Sequence, residues 1–283
     1  MDTRHIITAT AAAVIALGMN AGLAPAKADA LDDIMERGSM IVAIDPTFAP
    51  FEYTDSEGNI IGYDPELLEA IAEDWGVEID YQVMAFSGVI PGLIAGSFDF
   101  TATALNITAE RAQKIDFTIP ITSTVNAILT TKGNANVMNS DINDLSGNKC
   151  AVKQTTQPEQ MMQSMNEELS AAGMDEVELL SFDTVEQTIA ALVDGRVDCV
   201  VDDIVVLHKA MASRPDIEME VVGEIGTKAV IGWGTNKDDP KLNAALNDAL
   251  KKLKASGKMG ELQEKHFGFR IDDLPEENFI PEG

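Results

Sequence analysis

The chain has 283 residues, with 47 acidic against 20 basic side chains and a formal net charge of −27. That balance excludes nucleic acid as a partner, because a polyanion needs a dominant basic patch. Hydrophobic residues make up 45% and charged residues 24%, the proportions of one large globular domain or two smaller ones rather than of a disordered tail.

Arg4, the apolar Ala-rich run 6–17 and the small-residue exits at Ala26-Lys27-Ala28 and Ala28-Asp29-Ala30 read as a signal peptide, residues 1–28. The run is too short to span a bilayer, so the mature chain is expected to be exported and soluble. Cys150 and Cys199 each lie in a short apolar run. Buried thiols on neighbouring strands and a single bridge are both open readings. His208 and His266 have no partner at ligand spacing and His5 lies in the leader, so no metal is expected.

In chain order, residues 40–44 read as a strand. Asp64-Pro65 opens a helix with Leu67, Leu68, Ile71 and Ala72 on one face and Gly76 as its stop. Residues 77–83 alternate as a strand, Ser87 to Ile94 form a short apolar helix, and 98–100 is another strand. Thr108 is placed to cap a short helix carrying Arg111, and 115–117 and 125–130 read as extended. A second α/β unit follows, with strand 149–153, helix 157–172 and strand 178–182. Asp183 starts the next helix, with Glu186 at the capping-box position and Gly195 at its end. Residues 197–201 read as a strand, 204–211 as a helix and 228–233 as extended. Asp239-Pro240 opens the clearest helix, with Leu242, Leu246, Leu250 and Leu253 on one face. The acidic tail from Arg270 reads as surface wrap. Alternating strands and helices predict an α/β fold with largely parallel sheets.

Three stretches carry chemistry. The first is Asp45-Pro-Thr-Phe-Ala-Pro-Phe-Glu-Tyr53, a loop after a strand, in which Phe48 lies where a strand end opens toward a cleft. The second runs from Met84 through Phe86 to Leu93. The third is Ala104-Leu-Asn-Ile-Thr-Ala-Glu-Arg111, followed by Ile115-Asp-Phe117. Arg111 falls in the first turn of its helix, where spare N–H groups favour an anion, and its planar cation suits bidentate pairing with a carboxylate.

These stretches, with Leu145-Ser-Gly-Asn-Lys-Cys-Ala-Val152 and Gly195-Arg-Val-Asp198, resemble the periplasmic solute-binding proteins of ABC importers for polar amino acids. The fit is to the glutamine- and histidine/lysine-binding branch, whose first strand leads into a D-x-x-[aromatic]-x-P-F-E loop and whose signature is I-T-x-x-R followed by I-D-F-[ST]. The resemblance implies a type-II periplasmic binding fold of two α/β lobes joined by a two-crossing hinge. Lobe 1 would take residues 29–124 and 231–283, and lobe 2 residues 125–230, with crossings near 123–127 and 229–232.

By the same resemblance, Arg111 is the clamp for a ligand's α-carboxylate, assisted by Asn106 and Thr156. Ala104 offers a carbonyl to the ammonium, and Asp203 its carboxylate. Phe48 and Phe86 would sandwich the ligand's side chain, with Asp45, Lys153, Gln157 and Asp202 setting specificity. Asp202 and Asp203 have a plainer reading as a strand-end pair capping the next helix. Thr155 departs from the pattern: it stands where glycine usually precedes the threonine, and a β-carbon restricts φ > 0.

The implied ligand is a polar or cationic L-amino acid, and the implied partner is the membrane permease of an ABC importer. The protein is expected to be a periplasmic monomer and to need no cofactor. The rival reading is an enzyme on the same fold, because cyclohexadienyl dehydratases resemble these binding proteins. Such an enzyme takes a dicarboxylate, which paired aspartates would repel, and needs a general acid. A ligand-sensing receptor component is the third class, and it would have to act through a partner.

Overall fold

The computed structural model describes residues 29–277 and 279–280, and the expected signal peptide at 1–28 lies outside them. The alternating pattern folds into two large sheets with flanking helices and a small three-stranded ribbon over residues 47–61. In the first sheet the strand order is 78–83, 39–44, 100–101, 234–235 and 116–117. The first three run parallel, and 234–235 enters antiparallel from late in the chain. In the second sheet the order is 178–182, 149–153, 199–203, 122–131, 219–232 and 105–106. Here too three parallel strands come first, and the long strands Thr122–Thr131 and Met219–Gly232 pair antiparallel beside them.

Those two long strands connect the halves of the molecule. Thr122 pairs with Ile231, Ser123 with Val230 and Thr124 with Ala229, directly before a register irregularity between Ile225 and Ala229. The chain therefore passes between two α/β lobes twice, on adjacent antiparallel strands. The sequence pattern showed only the last part of the second strand. A bulge between Val221 and Gly223 breaks its two-residue period, which hides the strand from an alternation test.

Local chemistry sets the helix ends. Helix Tyr63–Trp75 begins one residue before the expected Asp64 and stops at Gly76, which is left-handed at φ 68°. Helix Val185–Val193 starts differently from the expectation. Thr184, not Asp183, is its cap, and Gln187, not Glu186, completes the capping box. The extended backbone at Thr184 lets its hydroxyl accept from Gln187 N–H, while Asp183 is occupied by the Gln154 amide. Helices Ala30–Arg37 and Lys258–Phe267 were not anticipated. The second is separated from Pro240–Ala255 by Ser256 and a left-handed Gly257, so the apolar period restarts out of phase.

The largest fully buried side chains include Trp233, Tyr63, Phe51 and Phe100. Tyr63 donates to the Ile121 carbonyl at 2.6 Å and Trp233 donates its indole N–H to Asp64. This aromatic core lies under the 45–54 loop and beside the first crossing strand. Cys150 and Cys199 face each other on neighbouring parallel strands, with Cα atoms 4.6 Å apart, and form a disulfide. Closing a loop across 49 residues stabilises by about 4 kcal/mol in the chain-entropy description. Among the described residues no helix is long and apolar enough to cross a membrane.

Gly62 fixes how the site loop meets the core. Its φ is 137°, and a β-carbon there would strike the main-chain carbonyl of Phe51. Gly62→Ala is expected to cost about 2–4 kcal/mol, because neither backbone can move without disturbing the loop. Urea denaturation checks this, and a loss under about 0.5 kcal/mol would contradict it.

Candidate ligand-binding site

The parallel strands of both sheets point their C-terminal ends at one gap, the usual place for ligands on open α/β sheets. Asp45 follows strand 39–44 from one lobe. Lys153 ends strand 149–153, and Asp202 and Asp203 end strand 199–203, from the other. Arg111 enters from the short helix Ala109–Ala112, whose cap Thr108 accepts the Arg111 backbone N–H at 3.2 Å. Asn106 sits on the two-residue strand paired with Ile231.

Lys153 occupies the middle of the site. Its Nζ lies 2.7 Å from Asp45 Oδ2 and 3.1 Å from Thr47 Oγ1. It also lies 5.2 Å from the ring centres of both Phe48 and Phe86, so its ammonium fills the space between the two aromatics. The Lys153 and Asp45 side chains are 2% and 4% exposed, so water hardly screens this pair. The two charges come from opposite lobes and cancel.

Arg111 is buried without an anion. Its Nη1 donates to the Asn106 carbonyl and its Nη2 to the Thr155 carbonyl, each at 3.0 Å, and Phe86 lies 5.6 Å from its guanidinium. No carboxylate pairs with it among the described residues. Burial lowers its pKa to about 10, against a slight opposing pull from Glu110. Three of its five N–H groups make no hydrogen bond to the described residues.

The opposite wall has the complementary deficit. Asp202 Oδ1 accepts the Asp203 N–H at 2.8 Å, while Asp202 Oδ2 and both Asp203 oxygens are buried with no hydrogen-bond partner. Neither side chain caps helix Ile204–Ala212, so the plainer reading of this pair does not hold. Burial raises the Asp202 pKa to about 6, with the Asp203 N–H and Lys153 restraining it. Burial, and then the charge of Asp202, push Asp203 well above the usual carboxylate range. Asn106 Nδ2 is likewise buried without a partner.

Phe48, Phe86, Ala104, Asn106, Lys153, Thr156, Asp202 and Asp203 line one narrow pocket with a free volume of only about 10 Å³, so its walls are nearly in contact. Asp45 and Arg111 border it through Lys153 and Asn106. The Thr156 hydroxyl turns back to donate to the Lys153 carbonyl at 2.5 Å. Gln157 does not line this pocket, although its neighbours Thr156 and Pro158 do, and its side-chain oxygen accepts at 2.7 Å from Nδ2 of Asn126, the strand partner of Asp203.

Sequence reasoning missed Thr47, the Thr155 carbonyl and Glu52 as supporting parts. Glu52 Oε1 accepts the Ala104 N–H at 3.2 Å and the Thr103 hydroxyl, fixing the connection between strands 100–101 and 105–106 that carries Ala104. Its place in the Pro-Phe-Glu run was the available signal. Burial raises its pKa, and that of neighbouring Asp64 to about 7.

Comparison with known proteins agrees with this geometry. Residues 40–269 match the bacterial extracellular solute-binding proteins, family 3. The L-cystine-binding protein TcyJ of Escherichia coli K12 is 25% identical over 272 residues, covering 95% of this chain and 98% of its own. The histidine-binding periplasmic protein of the same strain is 27% identical, covering 81% and 88%. An ancestral arginine-binding protein solved with arginine is 32% identical with a TM-score of 0.75, covering 82% of this chain and 99% of its own. The expected two-lobed periplasmic-binding fold is therefore the one present, and the relatives are binding proteins. The chain belongs to the bacterial extracellular solute-binding proteins, family 3, and is a binding protein rather than an enzyme.

Proposed function

We propose that this chain captures a polar or cationic L-α-amino acid between its lobes and delivers it to the membrane permease of an ABC importer. In this reading it works as a periplasmic monomer after loss of residues 1–28. Lobe 1 is 29–124 with 231–283, lobe 2 is 125–230, and the crossings near 123–127 and 229–232 are the hinge. Ligand shifts the population toward the closed form, which the permease recognises.

One observation carries the reading: buried opposite charges that have no partners. Arg111 lacks an anion on one wall, and three carboxylate oxygens of Asp202 and Asp203 lack donors on the other. An uncompensated buried charge costs about 3–5 kcal/mol. An α-amino acid carries a carboxylate and an ammonium at fixed spacing and relieves both walls at once. For its side chain, Lys153 and Asp45 neutralise each other, which leaves Asp202. An amide or a cation suits that remainder, and a second carboxylate is repelled. The arginine-bound relative supports the cationic end of the class. Calorimetric titration with glutamine, arginine, lysine, histidine, glutamate and aspartate tests the class. Tighter binding of either acidic amino acid than of the other four would contradict it.

Arg111→Lys is expected to leave the protein folded and to weaken binding by about 2–5 kcal/mol, since an ammonium replaces a planar fork only as a point charge. Near-native affinity in a folded variant, read by calorimetry, would refute the clamp. Lys153→Met should act on selectivity. Removing the ammonium from between Phe48 and Phe86, which also leaves the Asp45 carboxylate to a ligand cation, is expected to raise arginine affinity relative to glutamine by about thirtyfold, the ~2 kcal/mol of one desolvated cation–π contact. An unchanged ratio would count against Lys153 as the occupant of that subsite.

The aspartates also set a pH dependence. A carboxyl raised above its unfolded value binds protons more readily in the folded protein, so its contribution to stability is present at low pH and lost as pH rises. With Asp202 at about 6, Asp64 at about 7 and Asp203 also raised, ligand-free Tm should fall between pH 5 and 8. A ligand ammonium favours the ionised aspartates, so the Tm gain from bound arginine should widen over the same range. Thermal shift at both pH values checks this, and a gain that narrows would contradict it.

A further inference from the structure

Among the described residues Thr155 is the one non-glycine with positive φ, at 61°. A β-branched side chain resists that conformation, so something must impose it. The restraint is local to lobe 2. Thr155 N–H donates to Glu159 Oε2 at 2.7 Å, and the second oxygen of Glu159 accepts the Ser181 hydroxyl. Thr155 Oγ1 donates to the Gln154 carbonyl at 2.7 Å, while the Gln154 N–H is tied to the Phe182 carbonyl at 2.9 Å. Glu159 sits in the first turn of helix Gln157–Ala171, capped by Thr156, so its carboxylate reaches back over the start of its own helix. The outcome is directional. The left-handed residue aims its carbonyl across the gap at Arg111 Nη2, 3.0 Å away.

Taking Arg111 as the α-carboxylate clamp, on which this step rests, we infer that Glu159 is a positioning residue for that clamp. It holds Thr155 left-handed so that lobe 2 presents a main-chain carbonyl to the guanidinium. Arg111 is then fixed by one carbonyl from each side, Asn106 and Thr155, with its remaining N–H groups turned to the ligand. All the restraints lie within residues 153–182, so lobe 2 carries the carbonyl already aimed before the lobes meet. Glycine reaches the same φ without a restraint. A carboxylate that clamps the loop and a glycine that needs no clamp are thus alternative solutions to one geometric demand.

The test uses the Glu159→Ala variant and the Glu159→Ala/Thr155→Gly double variant, titrated calorimetrically with L-arginine and L-glutamine and crystallised without ligand. Glu159→Ala should bind about tenfold or more weakly, the loss expected when a hydrogen bond to a charged group is mis-set, and Thr155 should relax to negative φ. The double variant should recover to within about threefold of wild type, because residue 155 regains the left-handed backbone unaided. A merely structural role for Glu159 gives no such rescue by glycine. Wild-type affinity in Glu159→Ala, or a folded double variant that stays weak, would overturn the inference. Should the wild-type protein bind neither amino acid, the functional reading fails separately. The backbone of Glu159→Ala then decides alone: negative φ at Thr155 supports the positioning role, and a retained positive φ overturns it.

Discussion

A cation buried without an anion is the constraint around which this structure is arranged. Arg111 is 5% exposed, and its guanidinium is met by two main-chain carbonyls and the face of Phe86. Carbonyl dipoles reduce the cost of burying the charge without cancelling it. In the proposed function this deficit is half of an interaction, and a ligand carboxylate supplies the other half. The buried oxygens of Asp202 and Asp203 state the same deficit with opposite sign.

The fold explains why these deficits face each other. Two mixed sheets each deliver side chains from the C-terminal ends of their parallel strands, and two adjacent crossing strands set those ends across one gap. Contacts between lobes then fall into two kinds. Lys153 with Asp45, and Lys209 stacked 5.3 Å over Tyr53, complete themselves without a ligand. Arg111 and the aspartates do not. In the proposed function the first kind sets the geometry of closure, and the second makes closure depend on what is bound.

Much of this was legible in the chain. Thr108 as a cap, Arg111 in a first helical turn and aspartates at a strand end are local signals, readable within a few residues. The paired crossing strands were half visible, because a bulge hides the period of Met219–Gly232. Side-chain destinations were not legible. That Lys153 fills the space between Phe48 and Phe86 depends on residues 105 and 67 positions away. That Thr155 could take a glycine's backbone depends on Glu159 and Ser181, and local sterics alone pointed against it. Gln157 is a similar case: its side chain is held by Asn126, the strand partner of Asp203, a contact that the chain order does not reveal. Cys150 and Cys199 needed strand order before they could be paired.

In the proposed function one wall holds an α-carboxylate while the other holds an α-ammonium. Calorimetry with L-arginine, its counterpart lacking the carboxylate and its counterpart lacking the ammonium addresses this directly, with the matching L-glutamine set alongside. The account requires each truncated compound to bind at least about a hundredfold more weakly than its parent, because each leaves one buried charge unpaired. A decarboxylated or deaminated compound that binds as tightly as its parent would contradict it.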